Sequence, residues 1–273
     1  MENLGVITSV ADFINKVQDL YKQKKTRKHL FFRGHSIKSY KLQPSVFRPL
    51  NNELSLNEKD IILDVKQYAP EHNISYSVKE LDKVLCDIQH NDIPTRLLDW
   101  TVSPLVALYF ACESHHDETG KLWAFDPWSY NDKIINYKEK IHPQIHDFHI
   151  IARILSGLEW SENEIRQYLH KEYAFDQPIN LADPVAFVAP FTNKRKVFQR
   201  GVFLIFGTDT HPFKTRSIAQ PYLSCYTIPK AYKKKIIQEL NNLYINDYTI
   251  YPDYRGMKNV LKKYGSLFNR KPL

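Results

Sequence analysis

Residues 89–113 read QHNDIPTRLLDWTVSPLVALYFACE, and in them a dense polar cluster runs straight into the longest apolar run of the chain. Thr95, Arg96, Asp99, Trp100, Thr101 and Ser103 crowd together. A plain core segment avoids such a density of donors, acceptors and charge, because unpaired buried polar groups are costly. Ser103 before Pro104 has the pattern of a helix N-cap with proline at the first helical position. LVALYFAC then supplies apolar residues on every face of the helix that follows, which marks that helix as buried. A polar loop is thus expected at the start of a central helix, whose free N–H groups and positive dipole end favour an anion such as phosphate. Two readings of the cluster stand side by side: Arg96 and Asp99 pair to satisfy a loop, or the same groups form a ligand site.

Working outward, His29–Phe32 (HLFF) reads as a short buried strand that runs into Arg33, Gly34 and His35. An arginine at the end of such a strand is held in place, and a following glycine lets backbone approach a ligand closely. The alternative is a buried arginine paired with an internal carboxylate. Before this strand, Val10, Phe13, Val17 and Leu20 recur at helical spacing and lead into the basic run KQKKTRKH. Helical periodicity also covers 57–68 and 77–88.

After Glu113, LWAFD is a strand, and the region 134–176 reads as a helical insertion or lid. His142, His146 and His149 have a spacing that a helix would gather on one side. Pro143 and the lack of a zinc-protease glutamate favour a solvated face over a metal site. Strands are expected near FVAPF, at Val202–Phe206 behind Gln199, Arg200 and Gly201, and at Tyr222–Ile228. Pro229 opens a helix with Lys233–Lys235 facing outward, and a last short strand at Tyr248–Tyr251 precedes Asp253 and a final helix. Strands and helices without regular alternation argue for an α+β fold.

The 273 residues, 43% hydrophobic and without an obvious linker, suit one large domain, and the net charge of +8 points to acidic partners. Three distant cysteines suggest no disulfide framework, and no apolar run reaches the ~20 residues of a membrane span. With no signal-peptide pattern at the N-terminus, a soluble cytoplasmic protein without membrane contact is expected.

Phe32-Arg33-Gly34, IPTRLLDWTVSPLVALYFA at 93–111, RKVFQRGVF at 195–203 and IYPDYRG at 250–256 resemble, in order, the motifs of the FRG (Phe-Arg-Gly) domain family. The resemblance spans about 29–265, preceded by an N-terminal helix within 1–28. The FRG motifs are in turn similar to those of ADP-ribosyltransferases. That second resemblance implies a mixed, largely antiparallel β core with surrounding helices and NAD as substrate. It also implies that Arg33, with Gly34 and His35 beside it, and Thr95, Thr101 and Ser103 bind the cofactor; by their own chemistry Arg96 suits a diphosphate clamp and Trp100 suits ring stacking, which completes the cofactor-binding set. Gln199 or Asp253 would stand at the acidic catalytic position, with Asp99 as a further source of negative charge. Gln199 is an amide where those enzymes carry a carboxylate, and an amide cannot act as a general base.

The expected activity is mono-ADP-ribosylation in a toxin or antiviral-defence setting, with a neutralising antitoxin as a partner. Basic runs interleaved with tyrosines favour nucleic acid as acceptor. The competing expectations are NAD hydrolysis and a non-catalytic module that binds nucleotide or nucleic acid.

Overall fold

The computed structural model describes residues 2–24, 29–48, 57–72, 81–135, 167, 182–188 and 194–265. In it, Phe31 and Phe32 point into different hydrophobic layers, as successive residues of a strand must. That strand, β2 (Phe31–His35), lies near the middle of a mixed sheet. The other described strands are β1 (Glu2–Val6), β3 (Leu97–Thr101), β4 (Gly120–Phe125), β5 (Val185–Phe187), β6 (Gly201–Ile205) and β7 (Leu223–Ile228). Their spatial order is β1-β7-β4-β2-β3-β6-β5. β1 runs parallel to β7 and every other pairing is antiparallel.

One layer against the sheet is built by α1 (Val10–Lys24), α4 (Pro104–Cys112) and α7 (Lys230–Asn242). Phe13, Val17, Leu108, Ile236 and Leu240 meet Phe32, Leu122, Tyr226 and Ile228 there. The other layer joins α2 (Glu58–Tyr68), α3 (Leu81–His90) and α5 (Pro127–Ile135) to Phe31, Trp123, Phe125 and Cys225. α4 is the helix expected from sequence: Ser103 caps it, its hydroxyl accepting from Val106 N, and Pro104 opens it. Three further α-helices are α6 (Lys194–Gln199), α8 (Asp247–Ile250) and α9 (Tyr254–Tyr264). The chain is a single α+β domain, as the helix and strand patterns indicated.

Several local expectations change. The segment Thr95–Ser103 is not a loop: Leu97–Thr101 is a central strand paired with β6 from Leu97↔Ile205 to Thr101↔Gly201. The strand expected at 29–32 is β2, which extends through Arg33, Gly34 and His35, and these pair with β4 down to His35↔Lys121. Tyr248–Tyr251 is no strand, because Asn246 and Thr249 form a reciprocal capping box that starts α8. Local capping overrides the β-propensity of Tyr-Thr-Ile. Gln199 ends a helix, and Arg200, at φ 49°, turns the chain into β6. Lys233 does not face outward. Its ammonium is buried and donates to the carbonyls of Ser36, Ser114 and His115 at 2.8–2.9 Å.

The expected insertion at 134–176, with His142, His146 and His149, lies almost wholly outside the described residues. Cys86, Cys112 and Cys225 are all buried. Among the described residues no helix is long and apolar enough to cross a membrane.

Candidate functional site

The sheet parts between β2 and β3. β2 and β4 pair along five successive positions, whereas β2 and β3 share only Phe32↔Thr101. From that pair onward the strands separate, and Arg33, Gly34 and His35 on one side face Leu97, Leu98 and Asp99 on the other across a cavity of about 830 Å³.

Backbone alternation explains how the gap is bridged. Phe206 N donates to Arg96 O and Val102 N to Arg200 O, so the even-numbered residues of β3 bond to β6. The odd-numbered ones turn their carbonyls towards β2. The Asp99 carbonyl would therefore lack a strand partner, and the Arg33 guanidinium supplies one through Nη1. The Asp99 carboxylate lies 4.0 Å from the same nitrogen and accepts a 2.9 Å hydrogen bond from Gln89 Nε2. Gln89 is oriented in turn by Thr95, whose hydroxyl donates to Gln89 Oε1 at 2.6 Å and accepts from Leu97 N.

Arg33 Nε also points at His35 Nε2 (3.1 Å), while the Trp123 indole N–H points at His35 Nδ1 (3.3 Å). A protonated ring would oppose both donors, so this environment holds His35 neutral. Burial lowers its pKa well below the ordinary histidine value, reinforced by the charges of Arg33, Arg48 and Lys121. Burial also brings Arg33 down to about 10, opposed by Asp99, so the guanidinium stays charged at neutral pH. Arg48, with Nε and Nη2 on the Gln43 carbonyl, adds a second cation beside Tyr40 and Lys41 in the lining.

Gly34 is required by the packing of α4. A Cβ there would collide with the Ala107 carbonyl oxygen and lie 2.6 Å from Ala111 N, so only glycine admits the helix against β2. This contact fixes how the cleft is closed at the back. Through the parted strands, α4 presents Phe110 and Glu113 to the cavity, joined by Arg195, Lys196 and Gln199 of α6. Burial raises the Glu113 carboxyl to about 7, assisted by the negative charge of Asp247 and opposed by Lys263, Tyr109 and Arg195.

The residues expected from sequence thus divide. Arg33, Gly34, His35, Asp99, Trp100, Thr101 and Gln199 all line the one cavity. Thr101 and Gln199 are tied together, the threonine hydroxyl donating to the Gln199 carbonyl at 2.6 Å. The Gln199 amide donates to Ile250 O at 3.1 Å. Thr95 is fully buried and reaches the cavity only through Gln89. Arg96 faces elsewhere, bound to the Glu58 carboxylate and the Phe206 carbonyl. Ser103 is occupied as the α4 cap, and Asp253 caps α9 by accepting from Gly256 N at 3.0 Å. The α4 N-terminus is absent from the cavity lining and its C-terminal end is present, the reverse of the anion-binding expectation.

Sequence reasoning missed Gln89, Arg48, Arg195 and Glu113. Glu113 carried a signal, being the first charge after the apolar run and three positions beyond Phe110 on the same helical face. Arg48 sits in an irregular, proline-bearing segment with no period to read.

Fold and site together define the class: an α+β domain whose mixed sheet opens between two inner strands around an arginine–aspartate pair. Residues 28–120 match the family model described as FRG domain. The match takes in β2, β3 and α4, hence both walls of the parting and the helix behind it. The motifs at 195–203 and 250–256 lie outside it. No curated protein and no solved structure matches the chain.

Proposed function

We propose that the β2–β3 cleft binds NAD, breaks its nicotinamide–ribose bond and passes ADP-ribose to an acceptor, with nucleic acid as the acceptor class. The observation that carries this reading is that Arg33, Asp99 and Gln199, from segments far apart in the chain, line one cavity. Its volume of about 830 Å³ lies in the range of small-molecule and cofactor sites. Breaking the glycosidic bond builds positive charge on the ribose, which carboxylates stabilise, while guanidinium groups suit a diphosphate. The cleft offers both, with Asp99 and Glu113 as carboxylates and Arg33 and Arg48 as cations. The charge of +8 favours a polyanionic acceptor, which Arg195 and Lys196 at the cavity would meet.

A second reading, a module that binds nucleotide without turnover, is favoured by one feature. Arg33 and Gln199 already spend donors on Asp99 O and Ile250 O. Incubating the protein with NAD and following nicotinamide release with RNA, DNA or no acceptor separates the two. Acceptor-dependent release is the expected result, release without acceptor would indicate hydrolysis, and binding without release would favour the module.

A further inference from the structure

At the back of the cleft two carboxyl groups, Glu113 and Asp247, lie apart from Arg33 and Asp99. Glu113 closes α4, its backbone N–H donating to Tyr109 O at 2.8 Å, and its half-buried side chain faces the cavity. Asp247, at the start of α8, is buried near it and held by two side chains. Lys263 of α9 donates to its Oδ2 at 2.7 Å and Asn259 to its Oδ1 at 3.4 Å. The buried Tyr109 hydroxyl makes no hydrogen bond of normal geometry and lies near both carboxyls. Arg195 of α6 stacks over the Tyr251 ring at 5.0 Å on the same side.

Each neighbour has a definite effect. Asp247 holds the negative charge that Lys263 and Asn259 compensate, so a second anion next to it is disfavoured. The α4 C-terminus carries the negative end of the helix dipole, which acts in the same direction. Lys263, Tyr109 and Arg195 act the other way. The balance makes Glu113 a carboxyl that exchanges a proton near neutral pH. Of the pair, only Glu113 reaches the cavity.

We propose that Glu113 is the general base of the cleft, taking the proton from the hydroxyl that attacks the ribose. This rests on the NAD-cleaving reading. The bond between the ribose anomeric carbon and the nicotinamide nitrogen breaks, and its electron pair leaves on that nitrogen, which becomes neutral. A lone pair of the acceptor or water hydroxyl forms the new carbon–oxygen bond. The hydroxyl proton passes to a Glu113 oxygen and is then released to solvent. This supplies the base that Gln199, an amide tied to Ile250 O, cannot be.

The test measures NAD binding and the pH dependence of nicotinamide release for the unmodified chain, Glu113→Gln and Asp247→Asn, with thermal melts as a folding control. For the unmodified chain kcat/KM is expected to rise with pH through about 7. Glu113→Gln is expected to bind NAD as tightly, release nicotinamide about 100-fold or more slowly, and lose that rise. Asp247→Asn moves the rise to lower pH, because the repelling charge is gone. A folded Glu113→Gln protein that keeps the rate and the pH profile overturns this role and leaves the NAD reading standing. So does an Asp247→Asn profile that stays in place. An unmodified chain that neither binds nor cleaves NAD overturns the NAD reading, and the role of Glu113 with it.

Discussion

Arg33, partly buried, and Arg216, buried, both lie next to aspartates, yet their surroundings differ. Arg216 reaches the carboxylates of Asp183 (3.1 Å) and Asp209 (3.0 Å) and the carbonyls of Asp209 and His211. Its guanidinium ties the segment before β5 to the loop after β6, away from the cavity. Arg33 has no such enclosure. It meets one carbonyl and one imidazole nitrogen, keeps the Asp99 carboxylate at 4.0 Å, and faces open space. An arginine surrounded by its own loops is a staple, and one that spans a parted sheet keeps a side open to the cavity.

The largest expected effect lies on the staple. Arg216→Ala would remove the cation that Asp183 and Asp209 share and is expected to cost about 3–5 kcal/mol in denaturant unfolding. A loss below about 1 kcal/mol would dissolve the contrast with Arg33. Gly34→Ala comes next. Its methyl group meets α4 backbone that cannot swing aside, and overpacking of this kind costs about 1–3 kcal/mol. An unchanged melting temperature would show that α4 is not pressed against β2. The smallest effect on stability belongs to Asp99→Asn. The side chain is 55% exposed and the amide can still accept from Gln89, so the expected change is within about 0.5 kcal/mol. Nicotinamide release should nevertheless fall, because the negative charge beside Arg33 is removed.

A different check addresses the carboxyl at the back of the cleft. Since Glu113 holds its proton up to about 7 in the folded chain, its ionisation above that pH opposes folding. In the linkage sense, the stability present below its unfolded value is lost as pH rises through the folded one. Glu113→Gln should therefore melt close to the unmodified chain at pH ~5 and above it at pH ~8. Equal melting temperatures at both would remove the buried character assigned to this group.

Much of this contrast was legible in the chain. The Ser103-Pro104 start of α4 and its apolar faces follow from capping and periodicity alone, and the strands at LWAFD, 202–206 and 222–228 follow from composition. Arg33, Asp99 and Gln199 were singled out and do share a cavity. Roles were less legible than places. Arg96 and Asp99 look equivalent in sequence, but alternate strand positions send Arg96 to Glu58 and leave Asp99 at the gap. Gly34 suggested a ligand, and the demand for it comes from a helix seventy-odd positions later. Asp253 was read as acidic chemistry and is spent on a cap. Such assignments depend on which face of a strand is covered, and that is decided by pairings across long sequence separations.

The central claim is that the parting of β2 from β3, with Arg33 across it, receives the anionic part of NAD. The direct measurement is calorimetric titration of NAD into the unmodified chain and into Arg33→Ala, with melting curves for both. Saturable binding that weakens at least about tenfold in a variant that still melts cooperatively is the predicted result, since a lost charge-assisted contact costs about 1.5–3 kcal/mol. Equal affinity in a folded Arg33→Ala protein would contradict it.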